Sequence, residues 1–203
     1  MTRLFKLTKS NDRTYGGMQW GEGVEHTASG EGGLCSSGWL HAYEDPLLAI
    51  FLNPAHAWFD EPHLWEADGD VGATDYGLKV GCTRLRTLRQ IPPPNVTLPQ
   101  RIRFAILCAQ KICDDPAWNT WANQWLSEMD RSRNSALNAR IGLKSDAASE
   151  AAISAAFMSK GRSWVILAAA WSVLYTVWET PQQRRSLLNF AALAKQAIAE
   201  EKN

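Results

Sequence analysis

Long apolar segments are missing from this chain. The longest run, Trp164 to Trp178, has 15 residues and contains Ser172, Tyr175 and Thr176. A membrane-spanning helix needs roughly 20 residues, so a buried helix is expected there and no membrane partner. Cysteine is scarce, with only Cys35, Cys82, Cys108 and Cys113 in 203 residues. No CxxC occurs, and His26, His41, His56 and His63 form no HxH or HxxxH pair. Local zinc motifs are therefore excluded. Cys108 and Cys113 would sit about 140° apart around a helix. A distributed set of Cys35, His41 and Cys82 is the one metal alternative, and no metal is expected. The opening Met1-Thr2-Arg3-Leu4-Phe5-Lys6 is too polar for a secretion signal. Free thiols in a reducing cytoplasm are expected.

Net charge is also missing. Lys plus Arg and Asp plus Glu each number 21, so no overall basic field points to nucleic acid, which is not expected as a partner. The chain has no GxGxxG, GxxxxGK[ST] or GxSxG. Gly30-Glu31-Gly32-Gly33 lacks the strand-loop-helix setting of a phosphate cradle. Standard nucleotide loops, serine hydrolases and kinases have no support. What is present is a core-forming composition, 45% hydrophobic and 21% charged, with an unusual 10 tryptophans.

Glycine divides the chain. Twelve of 14 glycines precede residue 97, and only Gly142 and Gly161 follow. Pro92-Pro93-Pro94 is stiff and lacks backbone donors, so it reads as a linker. The first part has 8 basic and 12 acidic residues, the second 13 and 9. The fold expected is α+β: a small, mixed, β-rich domain over residues 1–91, a Pro-rich linker over 92–96, and a bundle of about six helices over 97–203. Strands are expected at Leu4–Leu7, Arg13–Trp20, Gly38–Tyr43, His63–Ala67, Leu78–Cys82 and Thr83–Ile91. Gly21–Gly33 reads as a loop. Asp45-Pro46 caps a helix that ends before Pro54.

Caps mark the helices of the second part. Thr97-Leu98-Pro99-Gln100 is a capping box opening a helix to Cys113. Asp115-Pro116 opens a second, to Met129, and Asp130 a third, to Gly142. Ser145 or Asp146 opens an Ala-rich fourth, stopped by Gly161. The fifth spans Ser163–Trp178, and Thr180-Pro181-Gln182-Gln183 is a second capping box opening the last. Trp118, Trp121 and Trp125 share a helix face and are expected in the core or at a domain contact, with an exposed aromatic hot spot as the alternative. Trp164, Trp171 and Trp178 recur every seven residues, a seam that suits core packing or a homodimer contact. The Ala-rich helix suits close packing.

Charge is segregated. Asp60, Glu61, Glu66, Asp68, Asp70 and Asp75 fall in a stretch without Lys or Arg. Lys79, Arg84, Arg86, Arg89, Arg101 and Arg103 fall in one without acids. Arg84 and Arg86 would share one side of a strand. The two stretches are expected to be solvated, to pair with each other, or to meet a partner: Arg84 and Arg86 an anionic ligand, Asp60, Glu61, Asp68 and Asp70 a basic surface. Trp39, His41 and Tyr43 alternate along a strand leading into the Asp45-Pro46 helix start. Aromatic walls, an imidazole and helix-end N–H groups suit a nucleotide-like ligand. They equally suit a core beneath the first helix.

Leu34 to Ala49, Leu64 to Ala67 and Gly77 to Cys82 resemble an uncharacterised family scattered through phages and bacteria, including cyanobacteria, in which an Ala-rich helical tail often follows. The resemblance covers most of residues 4–130 and brings no established activity. Gly38 to Ala49 is also faintly similar to ADP-ribosyltransferases, where a Gly-aromatic strand precedes a short helix carrying small residues. That similarity implies NAD as cofactor and a catalytic set of Arg13, His41 or Tyr43, and Glu66. The Q/E-x-E motif of those enzymes does not occur in a late strand of the first domain, and Glu66 is the nearest lone acid. The function expected is non-catalytic binding without a cofactor, to a host protein such as a defence component or to a small nucleotide signal, in the host cytoplasm if phage-encoded. An ADP-ribosyltransferase-like enzyme is the alternative. An assembly protein dimerising through its tryptophan-rich helices is the third.

Overall fold

The computed structural model describes residues 2–159 and 162–199. The fold is α+β. The chain forms two compact units, Met1–Asn95 and Val96–Asn203. The expected stop at Gly161 lies outside the described residues.

The first unit is an antiparallel sheet built on a long hairpin. β1 (Thr2–Thr8) pairs with β4 (His63–Thr74), and β4 pairs with β5 (Val80–Ile91). On its other edge β5 pairs with β2 (Glu25–Thr27) and with β3 (Leu40–Ala42). The chain beyond β3 then returns to β1: Phe5 and Tyr43 exchange backbone hydrogen bonds of 2.8 and 2.9 Å. The path β1-β4-β5-β3 thus closes on itself. Strand side chains alternate, so one set points inward. That set includes Leu4, Leu40, Ala42, Ala67, Val80, Cys82 and Leu85, buried together with Trp20 from the preceding loop. Phe5, His41 and Tyr43 belong to the outward set. Helix α1 (Pro46–His56) lies along β1. Asp45 caps it as expected, its carboxylate accepting from Leu47 N at 2.9 Å.

Several expectations are corrected in this unit. Leu78–Cys82 and Thr83–Ile91 are not two strands, because β5 runs unbroken from Val80. Register shifts after Glu66, Asp70 and Val71 in the partner strand bend the hairpin, so a long strand curves without a break. β4 likewise continues past Ala67 through most of the acidic stretch. Arg13–Trp20 is not a strand. It makes a single bridge, Arg13 to Gln19, around a 3₁₀ turn at Tyr15–Gly17. β2 falls inside the expected loop. Helix α1 does not stop before Pro54. The missing N–H of Pro54 costs one bond in the last turns, and Ala57 N still donates to Asn53 O at 2.8 Å.

The second unit contains α2 (Leu98–Ala109), α3 (Pro116–Leu126), α4 (Arg133–Ala139), α5 (Asp146–Ala156), α6 (Arg162–Glu179), a 3₁₀ turn (Gln182–Leu187) and α7 (Phe190–Ala199). The Thr97–Gln100 capping box is formed in both directions. Asp115 accepts from Trp118 N and Ser145 from Ala148 N. The third helix is capped by Ser132 instead of Asp130, whose carboxylate holds Ser132 N at 2.8 Å. The Thr180 capping box does not form. Its hydroxyl turns back to Thr176 O in α6, and the last helix begins later, where Asn189 Oδ1 accepts from Ala192 N at 2.9 Å.

Trp118, Trp121 and Trp125 are core, against Ala147, Ala148, Ala151 and Ala152 of α5. The Trp164–Trp178 seam is not. α6 buries Val165, Ala169, Ser172, Val173, Thr176 and Val177, and leaves Trp164 42% and Trp178 53% exposed. Helices packed through alanine approach too closely to admit an indole between them, so the large residues are displaced to the outer side. Ser172 Oγ donates to Ala147 O at 2.8 Å across this contact.

Overpacking and exposure therefore predict opposite sensitivities. Ala152→Leu should lower the unfolding free energy by about 1–3 kcal/mol, and Trp178→Ala by less than about 0.5 kcal/mol. Urea denaturation of both variants checks the ranking.

Candidate functional site

The outward side of β3 and the start of β5 carries the densest chemistry. Trp39, His41 and Tyr43 lie on that side, as their alternation predicts, but they do not form an open row. Trp39 lies on glycine. A Cβ at Gly72 would come within 2.7 Å of the indole, and one at Gly81 within 3.0 Å of it and 2.6 Å of Leu34 Cδ1. Only glycine at both positions leaves room for the ring. Trp39 Nε1 donates to Gly32 O at 3.1 Å, fixing the loop above. His41 Nε2 is bonded to Leu34 O. Tyr43 is 5% exposed, with its hydroxyl 3.2 Å from His56 Nδ1 and its ring stacked on that imidazole.

Two residues from elsewhere complete the group. Lys79, immediately before β5, is 7% exposed, and its Nζ lies 3.2 Å from Sγ of the exposed Cys35. Among the described residues no carboxylate lies within ion-pair distance of that ammonium. His56 comes from the extra turn of α1. Lys6 reaches the same strand from the interior side: fully buried, it donates to His41 O at 2.7 Å and lies 4.8 Å from the Trp20 ring.

The electrostatics are one-signed. Burial pushes the Lys6 ammonium down to about 8, partly offset by Cys82. Burial lowers His41 against its bond to Leu34, and Lys79 and Lys6 lower it further. Burial, then Lys79 and His41, push His56 down to about 3. No acid is among the causes for either imidazole. At the helix start expected to offer free N–H groups, the Asp45 carboxylate holds Leu47 N.

The other candidates sit apart. Arg13 follows β1, and its Nε donates to Gln19 Oε1 at 2.9 Å. Glu66 is clamped by Arg89, at 2.7 Å, and by Arg3, and those bonds hold its pKa below the ordinary carboxylate value. Glu66 and Tyr43 flank Phe5 from opposite edges, two strands apart. The segregated charges meet across β4 and β5. Arg84 holds Asp68 at 2.9 Å, Asp70 at 3.0 Å and Glu25 at 3.1 Å. Arg86 lies opposite Glu25 and Asp68 in register. Asp60 and Glu61 are exposed beyond α1. Cys82 points into the sheet interior, away from Cys35 and His41, and among the described residues no three potential metal ligands cluster.

Lys79 belongs to the basic stretch and His56 to the turn of α1 beyond Pro54, and only the fold brings both beside His41. Lys79 had a signal: it stands two residues before Gly81, on the outward set of the strand that pairs with His41. No helix among the described residues is long and apolar enough to cross a membrane. No family model, curated protein or solved structure matches this chain.

His56 predicts an acid sensitivity. Its folded value is depressed from 6.5 to about 3, so over that window the unfolded chain binds more protons. Stability is then lost as pH falls from 6.5, at up to about 1.4 kcal/mol per pH unit. Denaturant melts at neutral and mildly acid pH should show a smaller loss for His56→Gln than for the unaltered chain, since the carboxylates contribute equally to both.

Proposed function

We propose that this chain is a non-catalytic binding protein for a small, phosphate-bearing, nucleotide-like ligand, taken at Lys79, His41 and His56. The observation that supports this is a cluster of one ammonium and two imidazoles with no carboxylate within ion-pair reach of the ammonium and none acting on either ring. Elsewhere on the sheet Arg84 and Arg89 are matched by acids. An ammonium left without a counter-charge favours an anion. Trp39, held flat on Gly72 and Gly81 and still partly exposed, offers a surface on which a base can stack. The separate engagement of Arg13 and Glu66 argues for binding over ADP-ribosyl transfer. A phage source and a host target remain part of the proposal through the family resemblance alone.

Calorimetric titration with nucleoside monophosphates and with inorganic phosphate tests this. Binding should weaken as pH falls from about 8 to about 5, because the phosphate loses a negative charge near its second pKa of about 6 while burial keeps both imidazoles below their ordinary pKa. Lys79→Met should weaken it about tenfold or more, the loss of one charge-assisted contact. Absence of binding to any phosphate compound across that pH range would sink the reading.

The exposed indoles of α6 favour a second reading, self-association. Trp171, Tyr175 and Trp178 meet in tilted and edge-to-face contacts with centroids 5.4 to 5.9 Å apart, and Leu187 is 76% exposed. Large apolar residues at a surface mark interaction sites. Light scattering should give twice the chain mass, and Trp178→Asp the single mass. A chain that is monomeric at all concentrations rejects this reading.

A further inference from the structure

We propose that His41 makes the binding site selective for ribonucleotides, its Nδ1 accepting a hydrogen bond from a ribose hydroxyl of the ligand. This selectivity rests on the binding reading above. His41 Nε2 is bonded to Leu34 O. A carbonyl oxygen can only accept, so Nε2 carries a hydrogen and donates. Burial holds the ring below its ordinary pKa of 6.5, so at neutral pH the other nitrogen, Nδ1, keeps its lone pair. No group among the described residues donates to it. The buried polar side-chain atoms left without a partner are, among the described residues, Trp121 Nε1 and Trp125 Nε1. His41 Nδ1 is not one of them, so it meets solvent as an unused acceptor.

His56 is set the opposite way. Burial raises the pKa of the Tyr43 hydroxyl and keeps it protonated. Its one hydrogen-bond partner among the described residues is His56 Nδ1, at 3.2 Å. The phenol therefore donates to Nδ1, and the neutral ring carries its hydrogen on Nε2. The site thus holds two donors suited to phosphate oxygens, Lys79 Nζ and His56 Nε2. It also holds one acceptor, His41 Nδ1, which a phosphate oxygen, itself an acceptor, cannot satisfy.

The order of these groups along the strands matches that of a nucleotide. Trp39 stands two residues before His41 on the same outward side, with its ring over Gly72 and Gly81. His41 is paired with Gly81 in an antiparallel register, so Lys79 lies beyond His41 on the side away from Trp39. The Lys79 ammonium acts on both imidazoles. In a nucleotide the ribose joins the base to the phosphate. A base on Trp39 and a phosphate at Lys79 therefore bring the ribose to His41. Its hydroxyls are donors that a bare acceptor takes, and a bonded hydroxyl is how a protein tells ribose from deoxyribose.

Calorimetric titration of the full chain at neutral pH compares adenosine 5′-monophosphate with its 2′,3′-dideoxy and 2′,3′-di-O-methyl analogues. The dideoxy compound should bind about tenfold more weakly, through the loss of one hydrogen bond. The di-O-methyl compound keeps both oxygens and loses both donors, so it should be as weak. His41→Phe, whose ring accepts no such bond, should bind all three alike. The ligand ratios on the unaltered chain need no variant and decide the matter if His41→Phe does not fold. Equal affinity for the ribose and dideoxy compounds, full affinity for the di-O-methyl compound, or an unchanged preference in folded His41→Phe overturns the proposal. Binding of the monophosphate without preference rejects this proposal alone. No binding of the monophosphate or of inorganic phosphate rejects the binding reading with it.

Discussion

The Phe5–Tyr43 hydrogen-bond pair decides which residues of the first unit face out. Without it, β1 would be a free edge and β3 a three-residue appendage to β5. With it, the sheet closes and acquires an interior. Closure fixes the alternation of β3: Leu40 and Ala42 go inward, and Trp39, His41 and Tyr43 go outward. A closed sheet also has fewer unpaired edge groups. The same closure buries Lys6, whose side chain follows Leu4 into the interior and ends on His41 O. A lysine in that position is costly unless its ammonium is bonded, so it ties β1 to β3 a second time.

Much of the second unit was legible because helix caps are local. Thr97, Asp115 and Ser145 each act within three residues of themselves, and nothing distant changes that outcome. Thr180 failed for a reason the local pattern does not contain. Its hydroxyl has a competing acceptor in the preceding turn, Thr176 O, and a threonine at the end of a helix makes that back-bond readily. The tryptophan heptad failed through a similar blindness. Periodicity says which residues share a face, and it does not say whether that face or the small-residue face turns inward. In α6 the choice was made by α5, whose alanines reward close approach.

In the first unit, the spacing of strand residues was legible and their partners were not. Trp39, His41 and Tyr43 were placed on one side correctly. Lys79 and Cys35 are 44 residues apart, and only the β3–β5 register brings them together. The charge segregation was visible, yet its meaning depended on the hairpin. Once β4 runs on to Thr74 opposite β5, Asp68 and Asp70 must face Arg84.

That pairing explains why the remaining cations stand out. Cross-strand acids neutralise arginines along the middle of the hairpin, where β4 and β5 are in register. At the start of β5 the outward neighbours are instead Gly81, Trp39 and His41, because the indole requires glycine on both strands. Glycine cannot carry a counter-charge. The acid nearest Lys79 in register, Asp75, meets it through the backbone, its N–H donating to Lys79 O at 2.9 Å, and Sγ of Cys35, 3.2 Å away, is the side-chain atom that meets the ammonium.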